Sequence, residues 1–420
     1  MRFRQLTRAD FLDAVAFLIP VTQFVEIKVI GRLFGPDLLL LGLLPLLLAW
    51  RGRLLRHRLP RMFIILAVLW LTSQVATDLF RETPFQDYSR GWAKIGFTLT
   101  SFLALYLLLY KRRRRIVLFA IGLATGGLVG YFANPGIYAA GAPWKFGYGG
   151  SVTWFLLIAA IGLAGWGRKG WLAATGLVLG VSAVNLYMGF RSLGGILFLV
   201  AAYMMAQAVW AMGSRTPHRI RPRDAVLLSA VLGVAAFGML QLYSDAAESG
   251  LLGPQARQKY EQQSQGEYGL LIGGRSEMLV SLRAIADSPV LGHGSWAKDY
   301  YYASLLVDLK RRLGYYPGQV NELSLIPSHS YVLGAWVEAG VLGALFWVWV
   351  LSLAGRTLLR SFALREKLTP LVAFIALSLT WGILFSPFGA NARFVIPFYI
   401  VVMITSLAHR PLNDTSGKRS

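Results

Sequence analysis

Arg191, Arg275 and His329 are the residues whose types best suit chemistry, and each interrupts an apolar or glycine-rich setting. Arg191 stands between "NLYMGF" and "SLGGILFLV", where a guanidinium surrounded by apolar residues is costly unless it meets an anion. Arg275 follows Gly273 and Gly274 and directly precedes "SEMLVSLRAIAD", which reads as a short helix with Ser276 as N-cap and Pro289 beyond its end. Glycines let backbone approach a ligand closely, and a helix N-terminus favours an anion. His329 lies in "PSHSYVLGAWVEAG", where Pro327 closes a polar stretch and an apolar helix starts near Ser330. Two guanidinium forks suit a diphosphate, binding its oxygens bidentately and stabilising charge as it leaves. An imidazole suits deprotonating or orienting a hydroxyl. Plainer roles are open to each: a snorkelling Arg191, an Arg275 paired with Glu277, a His329 that only caps a helix.

Other residues are secondary. His293, in "VLGHGSW", is a turn residue or a substrate contact. Arg90, Lys145 and Arg393, the last near Asn391, are candidates for lining an anionic-lipid groove, with Lys94 a weaker case of the same type. His57, His218 and His409 accompany basic clusters and are read as solvated. Asp13, Glu26, Lys28, Asp78 and Glu338 fall in or at the ends of apolar runs, as a proton path or as structural pairs such as Glu26 with the neighbourhood of Lys28. The absence of Cys removes thiolate nucleophiles, thiolate metal sites and disulfides. With no DxD, HExxH or ligand-spaced His and acid cluster, neither a metal nor a cofactor is expected.

These residues must be positioned by membrane helices. At 55% hydrophobic, 15% charged and a mean hydropathy of +0.53, the 420 residues do not fit two or three soluble domains. Twelve apolar runs, several of them short or Gly-rich, are read as membrane spans: 11–31, 36–50, 62–79, 91–110, 116–133, 150–166, 171–189, 192–212, 225–243, 330–354, 370–386 and 393–408. Between them, basic clusters fall on alternate connections and at both termini, with 26 Lys and Arg against four acids. That accounts for the whole net charge of +22, because the remainder carries 16 bases and 16 acids. The positive-inside rule puts these clusters and both termini in the cytoplasm, and a nucleic-acid partner is excluded. The first run is retained as a helix and not a signal peptide: Asp13 interrupts it, and the later charge parity requires it. Gly122, Gly126 and Gly130 share one helix face and permit close packing.

The expected fold is therefore all-α, a polytopic bundle of about twelve transmembrane helices. Residues 1–243 hold helices one to nine, 244–328 a large outer loop, 329–409 helices ten to twelve, and 410–420 a cytoplasmic tail. The loop carries nine acids, eight bases and Tyr300, Tyr301, Tyr302, Tyr315 and Tyr316. Its Ser276–Asp287 helix is expected to turn Leu279, Leu282, Ile285 and Ala286 toward the membrane surface. Arg191, Arg275 and His329 then converge at one level of the outer face.

Three motifs carry a resemblance. "GGRSEMLVSLRAIADSPVLGHG" resembles the outer-loop signature of the bacterial O-antigen ligase and O-antigen polymerase family, an Arg opening a short helix that ends in a Pro-x-x-Gly-x-Gly turn. "SHSYVLGAWVEAGVLGALFWVW" resembles its second signature, a His followed by a Tyr two places on and an acid-x-Gly-x-x-Gly helix; "GFRSLGGILFLV" is similar to its arginine-bearing helix entry. The match runs from about 185 to 350, and the first six helices agree only in hydropathy. It implies a metal-independent, inverting membrane glycosyltransferase of the bacterial inner membrane, working on its periplasmic side. The donor would be a glycan on undecaprenyl diphosphate, the acceptor lipid A-core or another lipid-linked glycan. Arg191 and Arg275 would bind the diphosphate and His329 activate the acceptor hydroxyl. Ser330 departs from the common Asn after the His. "NPGIYAAGAPWKFGYGG" could stack sugars or simply close an outer loop at Trp144. The alternatives are a lipid-linked-oligosaccharide flippase, with charges at mid-membrane depth, and a peptidoglycan-type glycan polymerase, with an outer-loop acid such as Glu277, Asp287 or Asp299.

Overall fold

The computed structural model describes residues 7–213, 222–253, 257–258, 260–261, 276–312, 321 and 323–408. In these the chain is a helical bundle with one small sheet. The helices are α1 (Arg8–Val21), α2 (Gly35–Arg51), α3 (Arg58–Phe80), α4 (Phe85–Leu109), α5 (Arg113–Ala133), the short α6 (Ile137–Gly141), α7 (Gly149–Ala164), α8 (Gly167–Tyr187), α9 (Arg191–Gly213) and α10 (Pro222–Glu248). They continue with α11 (Ser276–Asp287), α12 (Tyr300–Arg312), α13 (Tyr331–Ala363), α14 (Thr369–Phe385) and α15 (Ala392–Ala408). Among the described residues nine helical segments are long and apolar enough to cross a membrane. α14 and α15 are apolar but only 17 residues long, and α1 has 14.

The first apolar run is not one helix. α1 ends one residue after Pro20, and the chain turns through a 3-10 segment into an antiparallel hairpin, β1 (Glu26–Lys28) with β2 (Arg32–Phe34). A spanning helix was expected through residue 31; a proline and a cross-strand ion pair end it sooner. Glu26 pairs not with Lys28 but with Arg32, through two bonds of 2.6 and 2.8 Å. Its carboxyl is held below the usual range first by that hydrogen bonding.

α5 packs on α1 through the predicted glycine face. A Cβ on Gly122 would stand 2.2 Å from the Phe17 carbonyl oxygen, and one on Gly126 would stand 2.5 Å from that of Pro20. One buried core then unites α3, α4, α5, α9, α13, α14 and α15 around Trp70, Phe102, Phe119, Phe346 and Phe398.

Among the described residues, the basic clusters that follow α2, α4, α7 and α13 gather at one end of this bundle. Arg51 donates to the carbonyls of Leu107, Leu108 and Tyr110, capping the C-terminus of α4. Arg115, a member of the 111–115 basic cluster, is 5% exposed and pairs with Asp13 at 2.7 Å. Gln207 bonds the carbonyls of Ser361 and Phe362, and Lys367 lies over Gly165.

Gly122→Ala should lower stability by about 1–3 kcal/mol through overpacking. Gly162→Ala, where a Cβ meets nothing within 4 Å, should be neutral or slightly stabilising. Thermal unfolding of the two purified variants compares them directly.

Candidate functional site

The end opposite the basic clusters is organised by a break in α13. Gly340 adopts φ 65°, ψ −162°, so the helix is two segments meeting at a kink. Left-handed φ favours glycine, and a Cβ here would stand 1.8 Å from the Val290 carbonyl oxygen. The break releases carbonyls that a continuous helix would satisfy, and neighbouring groups take them up. His293 N–H donates to Val337 O at 2.7 Å, Gly294 N–H to Glu338 O at 3.0 Å, and Ser73 Oγ to Ala339 O at 2.7 Å.

The turn that supplies these donors is held by the last two turns of α3. Thr77 Oγ1 donates to Leu291 O at 2.5 Å, and Arg81 bonds Gly292 O and Ser288 Oγ. Asp78, 2% exposed, accepts from Ser295 N at 2.6 Å, Ser295 Oγ at 2.7 Å and Trp92 Nε1 at 2.8 Å. α4 comes close enough because residue 91 is glycine; a Cβ there would be 1.9 Å from Ser295 Oγ.

Above the turn, the outer segment builds its own small core from Val280, Ala284, Ile285, Tyr302 and Ile326 against Val337 of α13. This divides α11 differently from expectation. Ile285 faces inward at 7% exposed, while Leu279 and Leu282 are exposed; the buried stripe is Ser276, Val280, Ser281, Ala284 and Ile285. A 3.6-residue repeat places 276, 280 and 284 on one side with 281 and 285 beside them, and the packing partner, not hydrophobicity alone, selects that side.

Between α11, the 325–330 segment, α13, and residues Trp70 of α3 and Lys94 of α4 lies a cavity of about 360 Å³. Ser328 and Ser330, the neighbours of His329 in the chain, are in its wall, with Glu277, Lys94, Glu338, Trp70, Trp296, Tyr331 and Trp347. Ser330 is fixed at 1% exposed: its Oγ donates to Ile383 O at 2.7 Å and accepts from Leu333 N at 3.2 Å, as the N-cap of α13. Burial alone would push the Glu277 carboxyl up. The Lys310 hydrogen bond at 2.9 Å and the nearby charges of Lys310 and His329 outweigh it and hold Glu277 below its ordinary range. Lys94 and Glu338 form a close ion pair, each side chain about a fifth exposed.

Of the residues singled out from the sequence, His329 comes within electrostatic reach of Glu277. Arg275 lies outside the described residues. Arg191 does not line this cavity: its guanidinium lies 4.7 Å over the Tyr243 ring, and its charge is felt by Lys145. The described residues therefore hold two separate groups, Arg191 with Lys145 and Tyr243, and His329 with Glu277. Arg393, 6% exposed, is bonded to Asp37 at 2.8 Å and to the carbonyls of Arg32 and Ala390, fastening α15 to α2 and the hairpin. Arg90 bonds Ile30 O at 2.7 Å, lies 4.0 Å from Asp87 and covers Trp296 at 5.6 Å. The His293 ring bonds Ala284 O at 2.8 Å, making it a link between the turn and α11. Lys94 and Glu338 sit in the cavity as partners, a pairing across 244 residues that no local pattern announces. Among the described residues no group of three or more His, Asp or Glu is placed to hold a metal ion. In comparisons with known proteins, no family model matches this chain and no curated protein is significantly similar to it.

Lys94→Met strands a half-buried carboxylate and should cost about 1–3 kcal/mol in thermal unfolding, most of it recovered when Glu338→Gln is added. The depressed Glu277 carboxyl contributes stability that is present at neutral pH and lost as pH falls through its folded value. Lys310→Met should move that loss to higher pH, toward the ordinary glutamate range near about pH 4, in unfolding curves recorded against pH.

Proposed function

We propose that this protein transfers a glycan from an undecaprenyl-diphosphate carrier to a sugar hydroxyl at the periplasmic face of a bacterial inner membrane, as an O-antigen ligase or repeat-unit polymerase. The observation that carries the reading is a cavity walled by Ser328 and Ser330, the chain neighbours of His329, and by Glu277, whose carboxyl feels the charge of His329. In this reading α1, α14 and α15 also span, giving twelve helices, and the arginine-rich end with both termini is cytoplasmic. His329 accepts the proton of the acceptor hydroxyl, assisted by the anionic Glu277 nearby. The freed oxygen attacks the anomeric carbon as its bond to the diphosphate oxygen breaks. Arg275 and Arg191, in the roles implied by the resemblance, stabilise the leaving diphosphate.

A flippase is less well supported. Among the described residues the buried charged side chains are Asp37, Asp78, Asp87, Arg115, Asp224 and Arg393. All lie in the terminal turns of their helices; the partly buried Lys94–Glu338 pair lies deeper, but as one mutually neutral pair and not as a series of charges on many helices. The glycan polymerase that relies on a loop carboxylate keeps one specific support, the presence of Glu277 in the cavity wall.

His329→Ala should reduce transfer by about 10²–10⁴-fold while the protein still inserts and binds donor, whereas Arg275→Ala should weaken donor binding too. Purified enzyme with lipid-diphosphate glycan and a defined acceptor measures both, and excess chelator should leave the rate unchanged. Full activity of the His329 variant defeats this mechanism; loss in Glu277→Gln with His329→Ala intact selects the carboxylate reading.

A further inference from the structure

At the arginine-rich end, two arginines far apart in the chain line one groove. Arg168 is in the first turn of α8 and Arg365 lies between α13 and α14, and with Trp171, Leu172, Met205 and Val209 they wall a cavity of about 440 Å³. The stretch that carries Arg365 is fastened on two sides. The Tyr203 hydroxyl donates to Leu358 O at 2.7 Å, Gln207 bonds the carbonyls of Ser361 and Phe362, and the Lys367 stem lies over Gly165. Trp171 Nε1 donates to Met204 O at 3.0 Å, which fixes the indole, and the Arg365 guanidinium lies 4.7 Å over that ring. Among the described residues, both charged side chains of the lining are cationic. Glu366, the acid next to Arg365, is bonded to Arg113 at 2.6 Å.

The apolar part of this lining is on the outside of the bundle. Leu172, Met205 and Val209 are exposed, and they belong to α8 and α9, both long and apolar enough to cross a membrane. α8 begins and α9 ends at this level, so the groove runs from the arginines onto a face that acyl chains would cover. We propose that it holds an anionic glycerophospholipid of the leaflet on the arginine-rich side, with the phosphate against Arg168 and Arg365 and an acyl chain along Leu172, Met205 and Val209. Basic pockets between transmembrane helices suit such head groups, and a guanidinium fork matches phosphate in geometry as well as charge. A zwitterionic head group brings an ammonium against two guanidiniums, with no carboxylate among the described lining residues to receive it. A soluble phosphate would leave the exposed apolar side chains without a partner. The site is at the end opposite the His329 cavity and does not depend on the glycan-transfer reading.

The test uses the full chain in nonionic detergent, titrated with phosphatidylglycerol, phosphatidylcholine and the chain-free head group glycerophosphoglycerol, with bound lipid counted by native mass spectrometry. Phosphatidylglycerol should bind saturably and about fivefold or more tighter than phosphatidylcholine, and glycerophosphoglycerol should not displace it. Arg168→Gln with Arg365→Gln should weaken phosphatidylglycerol about 25-fold, about fivefold for each basic residue removed. The same variant should lose the rise in thermal midpoint that phosphatidylglycerol gives the unaltered protein. Arg53→Gln with Arg58→Gln removes two exposed arginines of the same end that do not line the groove, and should bind as the unaltered protein does. Val209→Trp fills the groove while keeping both arginines, and should weaken both lipids. Equal affinity for the two lipids, displacement by glycerophosphoglycerol, or undiminished phosphatidylglycerol binding in either the Arg168 and Arg365 variant or Val209→Trp overturns the site. An equal loss in the Arg53 and Arg58 variant overturns it too, by tracing the binding to the general charge of that end.

Discussion

A helix that crosses a low-dielectric layer can be interrupted only where other groups take up the backbone polar atoms it releases, and in this protein that demand falls on Gly340. The carbonyls of Val337, Glu338 and Ala339 are met by two N–H groups of the His293–Gly294 turn and by Ser73 of α3. The outer segment is therefore not a loop resting on a bundle. Its turn is inserted into the hydrogen bonding of α13, and moving it would expose two acceptors at once. Asp78, Thr77 and Arg81 hold the turn from the other side. With the turn fixed, His293 ties it to α11 through Ala284, and α11 is fixed in turn. The cavity wall follows from that chain of attachments, because Glu277 belongs to α11 and Glu338 to the broken helix.

The buried charges obey a related economy. Asp13 with Arg115, Asp37 with Arg393, and Asp78 with its four donors each bind distant segments together. Arg393 shows why exposure in a sequence plot is a poor guide to function: its guanidinium is spent on Asp37 and two carbonyls, at 6% exposure. Lys94 and Glu338 differ from these. Lys94 is nine residues into α4, roughly 13 Å along the helix axis, and the pair opens on the cavity and not on a packed interface. An ion pair at that depth, beside a break in a helix, is a polar lining for a ligand-sized space.

The apolar runs and the parity of the basic clusters were legible because hydropathy and charge are additive along the chain. The glycine face of α5 was legible for the same reason, since Gly122 and Gly126 need only helical spacing to meet α1. What hydropathy misses is interruption. Val21 to Ile30 is apolar enough to continue a helix, yet Pro20 and the Glu26–Arg32 pair end α1 and form a hairpin. The tenth run likewise reads as one helix, although the Gly in "EAGVLG" breaks it, because the turn that compensates the break is some fifty residues away in sequence. Lys94 and Glu338 were visible as single charges but not as partners. Arg191 was legible as an arginine at a helix entry, but its association with Tyr243 and Lys145, apart from the His329 cavity, depends on how α9 and α10 pack.

Ser330 shows how a departure from a familiar pattern can preserve its physical content. An Asn after the histidine would cap α13 with its side-chain oxygen, and Ser330 does the same by accepting from Leu333 N. Its hydroxyl also donates to Ile383 O, so the residue beside His329 is bonded to α13 and α14 together. On the other side, Pro327 O accepts from Ser281 of α11. His329 is thus suspended between two anchored points on three different helices, with Glu277 one turn away from Ser281 on α11. A side chain in a connecting segment is ordinarily free to wander over several ångströms. Here the backbone on both sides is pinned to the same elements that carry the carboxylate and the cavity wall, so the imidazole and the space it would serve are positioned by one set of hydrogen bonds.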